Sequence, residues 1–214
     1  MKQEEITGIK NNYLYKNSNK LWNDSHLNQR RYIGSVSETA KKFLRSGQEI
    51  TLENFENFFY KNNITRQELE LLAVKFATYM DEHSLIHISN EMAFKWCWIR
   101  IIYDSFVGLV LKEQETKERL ETYGFFTEYT SWEDDCEFGV DLYDETCGIQ
   151  VKPYSFLMSL KYRKDFAMVA FNENNLKHKK YKHPVFWVFY QENDILIYTL
   201  DELLSEVGLW MLYK

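Results

Sequence analysis

The chain has 214 residues and a mass of 25.9 kDa, with 45% hydrophobic and 17% aromatic residues, which argues against a largely disordered protein. The net charge of −6 argues against a protein that coats DNA nonspecifically. That charge is uneven, because residues 1–46 carry +5, residues 47–146 carry −13 and residues 147–214 carry +2.

Cysteine usage and the N-terminal sequence predict a cytoplasmic protein. Residues 1–5 lack the apolar core of a signal peptide, and charged residues interrupt the longest apolar stretch, residues 96–111. The cysteines are odd in number and show no CxxC spacing: Cys97, Cys136 and Cys147. We therefore expect no disulfide, no zinc site and no membrane span.

The N-terminal part of the sequence is predicted to be mainly helical. Residues 1–34 are polar and rich in Asn, Lys and Tyr, so we expect an extended arm or short irregular segments there. Three helical patterns follow, at about residues 36–46, 52–61 and 65–82. The third begins with a capping box, Thr65 to Glu68. Residues 1–88 are accordingly predicted as one helical region.

Residues 89–214 show a different order of elements. A long helix is predicted from Ser89 or Asn90 to about Tyr123, where Gly124 ends it. The segments predicted after it are a strand, an acidic loop, a hairpin, a helix capped by Ser155, two strands and a final helix, at residues 125–130, 132–137, 139–153, 156–171, 185–190, 195–198 and from 201. This order predicts a mixed sheet flanked by helices.

The hairpin at residues 139–153 carries polar and apolar side chains in strict alternation. Its apolar set is Val140, Leu142, Ile149 and Val151, and its polar set is Asp141, Tyr143, Gln150 and Lys152. With a loop at residues 145–148, Asp141 falls opposite Lys152, and Tyr143 falls opposite Gln150. An acid, an amide and a lysine on one face can hold a divalent metal beside a phosphodiester, although a cross-strand ion pair on a solvated face is an alternative.

These residues resemble the catalytic motif of the PD-(D/E)xK nuclease superfamily, over roughly residues 90–200. Val140-Asp141 stands where that family has Pro-Asp, and Gln150-Val151-Lys152 stands where it has Glu-x-Lys. The proline is absent, and glutamine replaces the second acid, a change that resembles a variation known among restriction endonucleases of this fold. The resemblance implies an α/β (α+β) fold of the restriction-endonuclease type, with a helical N-terminal addition.

The resemblance also implies a metal site. Asp141 would supply a carboxylate to Mg²⁺, for which Mn²⁺ could substitute, while Gln150 would supply its amide oxygen and Val151 its carbonyl. Lys152 would orient the attacking water and stabilise charge on the scissile phosphate. Height along the long helix selects Glu113 as an additional acid, and an ordinary surface acid is the alternative.

Basic side chains on both sides of the chain's acidic middle are candidates for DNA contact. Those after the hairpin are Lys161, Arg163, Lys164, Lys177, Lys179, Lys180 and Lys182, with His178 among them. Arg30 and Arg31 in the N-terminal arm are further candidates. A solvated basic surface and a flexible tail are the alternatives.

The resemblance thus implies a Mg²⁺-dependent DNA endonuclease, first of all a type II restriction enzyme that acts as a homodimer on double-stranded DNA. Three alternatives remain open at the level of sequence. They are a repair or recombination nuclease of the same fold, a noncatalytic DNA-binding protein with a degraded motif, and a structural protein without a nucleic-acid role.

Overall fold

The computed structural model describes residues 1–84, 86–191 and 194–209 of the chain. They form two compact units, Met1–Val110 and Leu111–Lys214. The division lies within a long helical run, so the helix predicted to open the nuclease core begins in the first unit. The separate roles predicted for residues 1–88 and 89–214 stay predictions.

The first unit is helical. Its helices are α1 (Gln3–Asn11), α2 (Tyr13–Asp24), α3 (Arg30–Ile33), α4 (Val36–Leu44), α5 (Leu52–Asn62), α6 (Arg66–His83) and α7 (Asn90–Trp98). Helices α4, α5 and α6 confirm the three helical patterns of the sequence. The capping box of α6 is also confirmed, because the Thr65 hydroxyl accepts from the Glu68 N–H while the Glu68 carboxylate accepts from the Thr65 N–H.

The irregular arm predicted for residues 1–34 is wrong, since α1, α2 and α3 lie there. The polar composition of this segment concealed two kinds of anchor. Ile6 and Trp22 are buried apolar side chains. Arg100 supplies the second anchor, by donating hydrogen bonds to the buried Ser18 hydroxyl at 2.7 Å and to the Asn19 side-chain oxygen at 2.9 Å. The buried Ser18 hydroxyl of α2 is thereby hydrogen-bonded inside the fold.

The long helix predicted from residue 90 is confirmed in extent, although its winding is irregular. After α7 the chain forms π-helical segments at Ile99–Tyr103 and Phe106–Leu111, and α8 (Lys112–Thr122) follows. Each π-helical segment changes the direction in which later side chains point. A regular period of 3.6 residues therefore does not carry from α7 into α8.

The second unit contains a five-stranded sheet in the order β1-β2-β3-β4-β5. The strands are β1 (Glu128–Tyr129), β2 (Leu142–Tyr143), β3 (Gly148–Pro153), β4 (Val185–Gln191) and β5 (Asp194–Tyr198). Strands β3 and β4 are parallel, and the other neighbours are antiparallel. Helix α8 covers one face through Leu120. The other face is covered by α10 (Tyr154–Lys161), α11 (Asp165–His178) and α12 (Leu200–Glu206). The predicted mixed sheet flanked by helices is confirmed.

Two predicted segments of this unit are wrong. The acidic loop is a helix, α9 (Trp132–Phe138), because the Ser131 hydroxyl caps it at the Asp134 N–H and its acids lie in the first turn, where the helix dipole favours them. The single helix predicted at 156–171 is interrupted between α10 and α11. Arg163 takes a positive φ of 51° at that point, which ends the first helix.

The hairpin register is displaced by two residues from the predicted one. Leu142 pairs with Ile149, and Tyr143 pairs with Gly148. The Asp144 carboxylate decides the register, since it accepts hydrogen bonds from the backbone N–H groups of Thr146 and Cys147 and closes a shorter turn. A shift of two preserves which face each side chain occupies, but it brings Asp141 beside Gln150 instead of Lys152.

Among residues 1–84, 86–191 and 194–209, no helical segment combines the length and apolar character that a membrane span requires. The predicted cytoplasmic location stays a prediction.

Replacing Thr65 with Ala should lower the free energy of unfolding by about 1 kcal/mol, because α6 loses its N-terminal cap. Thr78→Ala is the matched control, since Thr78 is an exposed residue of the same helix whose hydroxyl donates to the Val74 carbonyl and does not cap the helix. Urea denaturation of both variants measures the difference. Equal losses in the two would contradict the capping role.

Candidate active site

The candidate site lies where strand β2 stops beside the longer strand β3. Strand β2 begins at Leu142, which pairs with Ile149, and the chain before it comes from α9. Val151 pairs with Val188 of β4 on one side, but among the described residues it has no strand partner on the β2 side. The Asp141 carboxylate replaces the missing strand, because its Oδ2 accepts a hydrogen bond from the Val151 N–H at 2.8 Å. Asp141 is consequently buried, with 7% of its surface exposed.

Gln150 is the second polar group at this point. Its side chain is 1% exposed, and its Nε2 donates to Asp141 Oδ2 at 2.6 Å. The Gln150 Oε1 atom is buried and has no hydrogen-bond partner among the described residues. An unpaired buried oxygen costs free energy unless a ligand, an ion or water binds it.

The oxygen atoms available here fit a hard divalent cation. Because the N–H and C=O groups of one strand residue point to the same side, the Val151 carbonyl faces the same gap as its N–H. Within the described part of the chain, no three His, Cys, Asp or Glu side chains converge on a metal site. A metal centre at Asp141 would therefore combine one carboxylate with amide and carbonyl oxygens, which are ligands that Mg²⁺ accepts.

Backbone contacts also fix the position of Asp141. Thr130 is a buried residue whose hydroxyl donates to the Val140 carbonyl at 2.5 Å and to the Asp141 carbonyl at 3.0 Å. The chain before and after the carboxylate is thus held while the carboxylate itself bonds to β3.

Lys152 and Asp141 both lie near His178. Lys152 is half-buried and shares the Gln150 face of β3. The pKa of His178 is lowered to about 4, mainly by burial and in part by the nearby Lys152 charge, while the hydrogen bond with the Gly139 backbone and the Asp141 charge oppose the shift. His178 is therefore a neutral ring at neutral pH, and its Nε2 lies 3.0 Å from the Gly139 carbonyl oxygen. From the sequence, His178 is instead a candidate for phosphate contact, because the sequence does not show that residues 139 and 178 lie close together in the fold.

Three polar side chains lie close to Gly139. It ends α9 in the left-handed conformation, with a φ of 67°. A Cβ atom there would lie 3.2 Å from Asn174 Oδ1, 3.3 Å from Gln150 Oε1 and 3.4 Å from His178 Nε2. Asn174 and His178 are thus neighbours of the site that sequence reasoning did not assign to it.

Glu113 lies on the α8 side of the sheet. Burial raises the pKa of Tyr190, and the Glu113 charge raises it further, so these two residues are near each other. The Tyr190 ring packs with the apolar side chains of the α8 face, whereas Asp141 and Gln150 occupy the opposite face. The role of Glu113 as an additional acid stays a prediction.

The basic residues after the hairpin fall into two groups. Lys161 pairs with Glu206, and Arg163 donates to the Gly208 carbonyl at 3.4 Å, so both bind the end of α12. The remaining side chains are exposed or half-buried: Lys164, Lys177, Lys179, Lys180 and Lys182. Their contact with DNA stays a prediction.

In the first unit, Arg30 and Arg31 are exposed. Arg30 pairs with Glu38 at 3.0 Å, and the Arg31 guanidinium lies 4.8 Å from the centre of the Tyr32 ring. Neither contact buries the cation, and the predicted DNA contact stays a prediction.

Gly139→Ala should destabilise the second unit by roughly 2–3 kcal/mol, because the methyl group meets three polar atoms in a strained backbone conformation. Gly208→Ala is the control, since Gly208 has the same φ of 67° and nothing within 4 Å of the added carbon. Thermal unfolding of both variants separates the cost of crowding, which only Gly139 has, from the cost of the positive φ, which both glycines share. The account is contradicted if Gly139→Ala costs no more than the control.

A family model described as the MjaI restriction endonuclease matches residues 18–198. No curated protein and no solved structure matches the chain. The family match covers the strand end at Asp141, the glutamine and the lysine of β3, and more than half of the sequence, so the chain belongs to the MjaI restriction endonuclease family.

Proposed function

We propose that the chain is a Mg²⁺-dependent type II restriction endonuclease that hydrolyses double-stranded DNA as a homodimer. One observation carries the proposal. A buried carboxylate, Asp141, lies beside the buried amide oxygen of Gln150, which has no partner among the residues that the structure describes. Lys152 lies two residues further along the same strand face. In a chain of a restriction endonuclease family, this arrangement supports phosphodiester hydrolysis.

The proposed metal ligands are the Asp141 carboxylate, Gln150 Oε1 and the Val151 carbonyl, with Mn²⁺ able to replace Mg²⁺. When bound, the metal would polarise the scissile phosphate and lower the pKa of a water molecule. The carboxylate is held in one orientation before any metal arrives, because Gln150 and Val151 both donate to its Oδ2. This preorganisation reduces the rearrangement that binding requires.

Lys152 is the proposed partner of the reacting groups. Its ammonium would donate to a nonbridging phosphate oxygen, where negative charge increases in the transition state, and would hold the attacking water. The Lys152 side chain emerges on the same face as Gln150, so it can reach a phosphate placed against the Asp141 carboxylate.

Glutamine instead of glutamate at position 150 has a defined consequence. The site carries one negative charge fewer, so it attracts a divalent cation less strongly. In return, the Gln150 amide stabilises Asp141 in the absence of metal, through a 2.6 Å hydrogen bond that a second carboxylate could not donate. The metal-free site is therefore more stable, and metal binding is weaker.

Lys152→Ala and Asp141→Asn should each lower the rate of DNA cleavage by at least about 100-fold, because each removes a group that acts on the scissile phosphate or its metal. The assay incubates purified protein with plasmid DNA in Mg²⁺, in Mn²⁺ and in EDTA, and maps the fragment ends on both strands. Discrete fragments that require metal, with symmetric ends, are expected from a homodimer on a palindromic site.

Lys117→Ala is the control for the lysine, since Lys117 lies on α8 in an ion pair with Glu121. It should cleave like the unchanged protein. Cleavage that survives both Lys152→Ala and Asp141→Asn would contradict the site. DNA binding without cleavage in either metal would instead favour a noncatalytic DNA-binding protein.

Gln150→Glu should destabilise the protein in EDTA by about 2 kcal/mol, because two buried carboxylates then face each other. Mg²⁺ should reverse this loss, so the rise in melting temperature on adding Mg²⁺ should be larger for the variant than for the unchanged protein. Gln191→Glu is the control, as an exposed residue at the end of β4. An equal response of all three proteins to Mg²⁺ would contradict a ligand role for Gln150.

A further inference from the structure

A cavity of about 810 Å³ opens on the same sheet face as the proposed active site. Its lining residues are Phe126, Glu128, Thr130, Asp134, Phe138, Tyr143, Asp144, Glu145, Lys180, Tyr181 and Lys182. Tyr143 lies two residues after Asp141 and therefore on the same face, and its partner across the sheet is Glu128. DNA that places a phosphate against Asp141 would pass beside this cavity.

Aromatic side chains give the cavity its shape. Phe126 and Tyr143 are 76% and 39% exposed, and the Phe138 and Tyr181 rings lie 5.5 Å apart. A Cβ atom at Gly148 would lie only 2.8 Å from Tyr181 Cε1, so glycine at this position lets the Tyr181 ring approach the strand. Exposed ring faces beside a cavity of this size offer stacking surfaces for a planar ligand.

The charged side chains that line the cavity indicate which class of ligand it can bind. Two lysines and four acids line the cavity. Asp134 accepts a hydrogen bond from the Ser131 hydroxyl, and Asp144 accepts one from the Thr146 hydroxyl. Within the described ranges of the chain, the other four side chains have no hydrogen-bond or ion-pair partner: Lys180, Lys182, Glu128 and Glu145. A bare phosphate would meet the carboxylates, and an apolar ligand would leave these four unpartnered side chains without a partner. A nucleotide can bind both the positive and the negative side chains, because its phosphate pairs with lysine and its base can donate a hydrogen bond to a carboxylate.

A base inside a duplex cannot use these rings, since its two faces already stack on its neighbours. Only a base that has left the stack presents a face to an aromatic side chain. The volume of the cavity lies within the range of small-molecule sites, which suits one nucleotide and not a base pair within a helix.

We propose that the cavity binds a single nucleobase extruded from the duplex, next to the phosphate at Asp141. The carboxylate of Glu128 accepts a hydrogen bond from an exocyclic amino group, so the favoured bases are cytosine, adenine and guanine rather than thymine. The proposal rests on the proposed nuclease function, because it takes DNA as the ligand.

The first test places 2-aminopurine at each position of a duplex that contains the mapped cleavage site, with Ca²⁺ in place of Mg²⁺. Binding should raise the fluorescence at one position at least roughly two-fold, since the base leaves the stack there. Phe126→Ala and Tyr143→Ala should abolish more than half of this rise, whereas Phe126→Tyr should keep it. Phe166→Ala is the control, because Phe166 is 63% exposed and lies outside the cavity.

The second test needs no cleavage site. It compares the binding of duplexes that carry one unpaired cytosine, one unpaired thymine or no unpaired base. The unpaired cytosine should be bound at least about 5-fold more tightly than the unpaired thymine, and Glu128→Gln should reduce this preference. Equal binding of all three duplexes would overturn the proposal.

The two tests separate failure of the cavity from failure of the nuclease. Metal-dependent cleavage with no rise in fluorescence at any position overturns the cavity proposal and leaves the nuclease intact. Absence of cleavage, together with a preference for unpaired cytosine that depends on Phe126 and Glu128, supports the cavity and contradicts the nuclease.

Discussion

The hydrogen bond from the Val151 N–H to the Asp141 carboxylate is the interaction on which the rest of the site depends. Strand β2 is too short to pair with all of β3, and an unpaired buried N–H costs roughly 1–3 kcal/mol. Asp141 provides the acceptor at 2.8 Å and is buried in doing so. The backbone thus requires a hydrogen-bond acceptor at the position where the proposed chemistry requires a carboxylate.

Two further features follow from this bond. Gln150 donates to the same oxygen of Asp141, and its own amide oxygen stays buried with no partner in the described part of the chain. The chain must also turn sharply before Asp141, and it does so at Gly139, whose carbonyl lies within hydrogen-bonding distance of His178. Three features therefore depend on one another: the end of the pairing between β2 and β3, the turn at Gly139 and the orientation of the Gln150 side chain. The cavity lined by Tyr143 continues it along the same sheet face.

Local patterns predicted much of this arrangement. Alternation in the hairpin gave the correct face for Asp141, Gln150 and Lys152, because a two-residue change of register preserves parity. The Thr65 capping box and the extent of the long helix were also visible, since both depend on residues that are close in sequence.

Features that depend on distant contacts were not predictable. The register follows from the Asp144 side chain, which competes with the longer loop. The packing of helix α2 depends on Arg100, whose contacts with Ser18 and Asn19 cross a large separation in sequence. Asn174 and His178 reach the site only through the packing of α11 against the sheet. Neither the hydrophobic periodicity nor the composition of the sequence reveals contacts between residues so far apart in the chain.

The most direct measurement is an anomalous difference map from crystals of the protein soaked in Mn²⁺. The account predicts a peak about 2.0–2.6 Å from an Asp141 carboxylate oxygen, from Gln150 Oε1 and from the Val151 carbonyl oxygen. A peak at another set of side chains, with no density at Asp141, would contradict it.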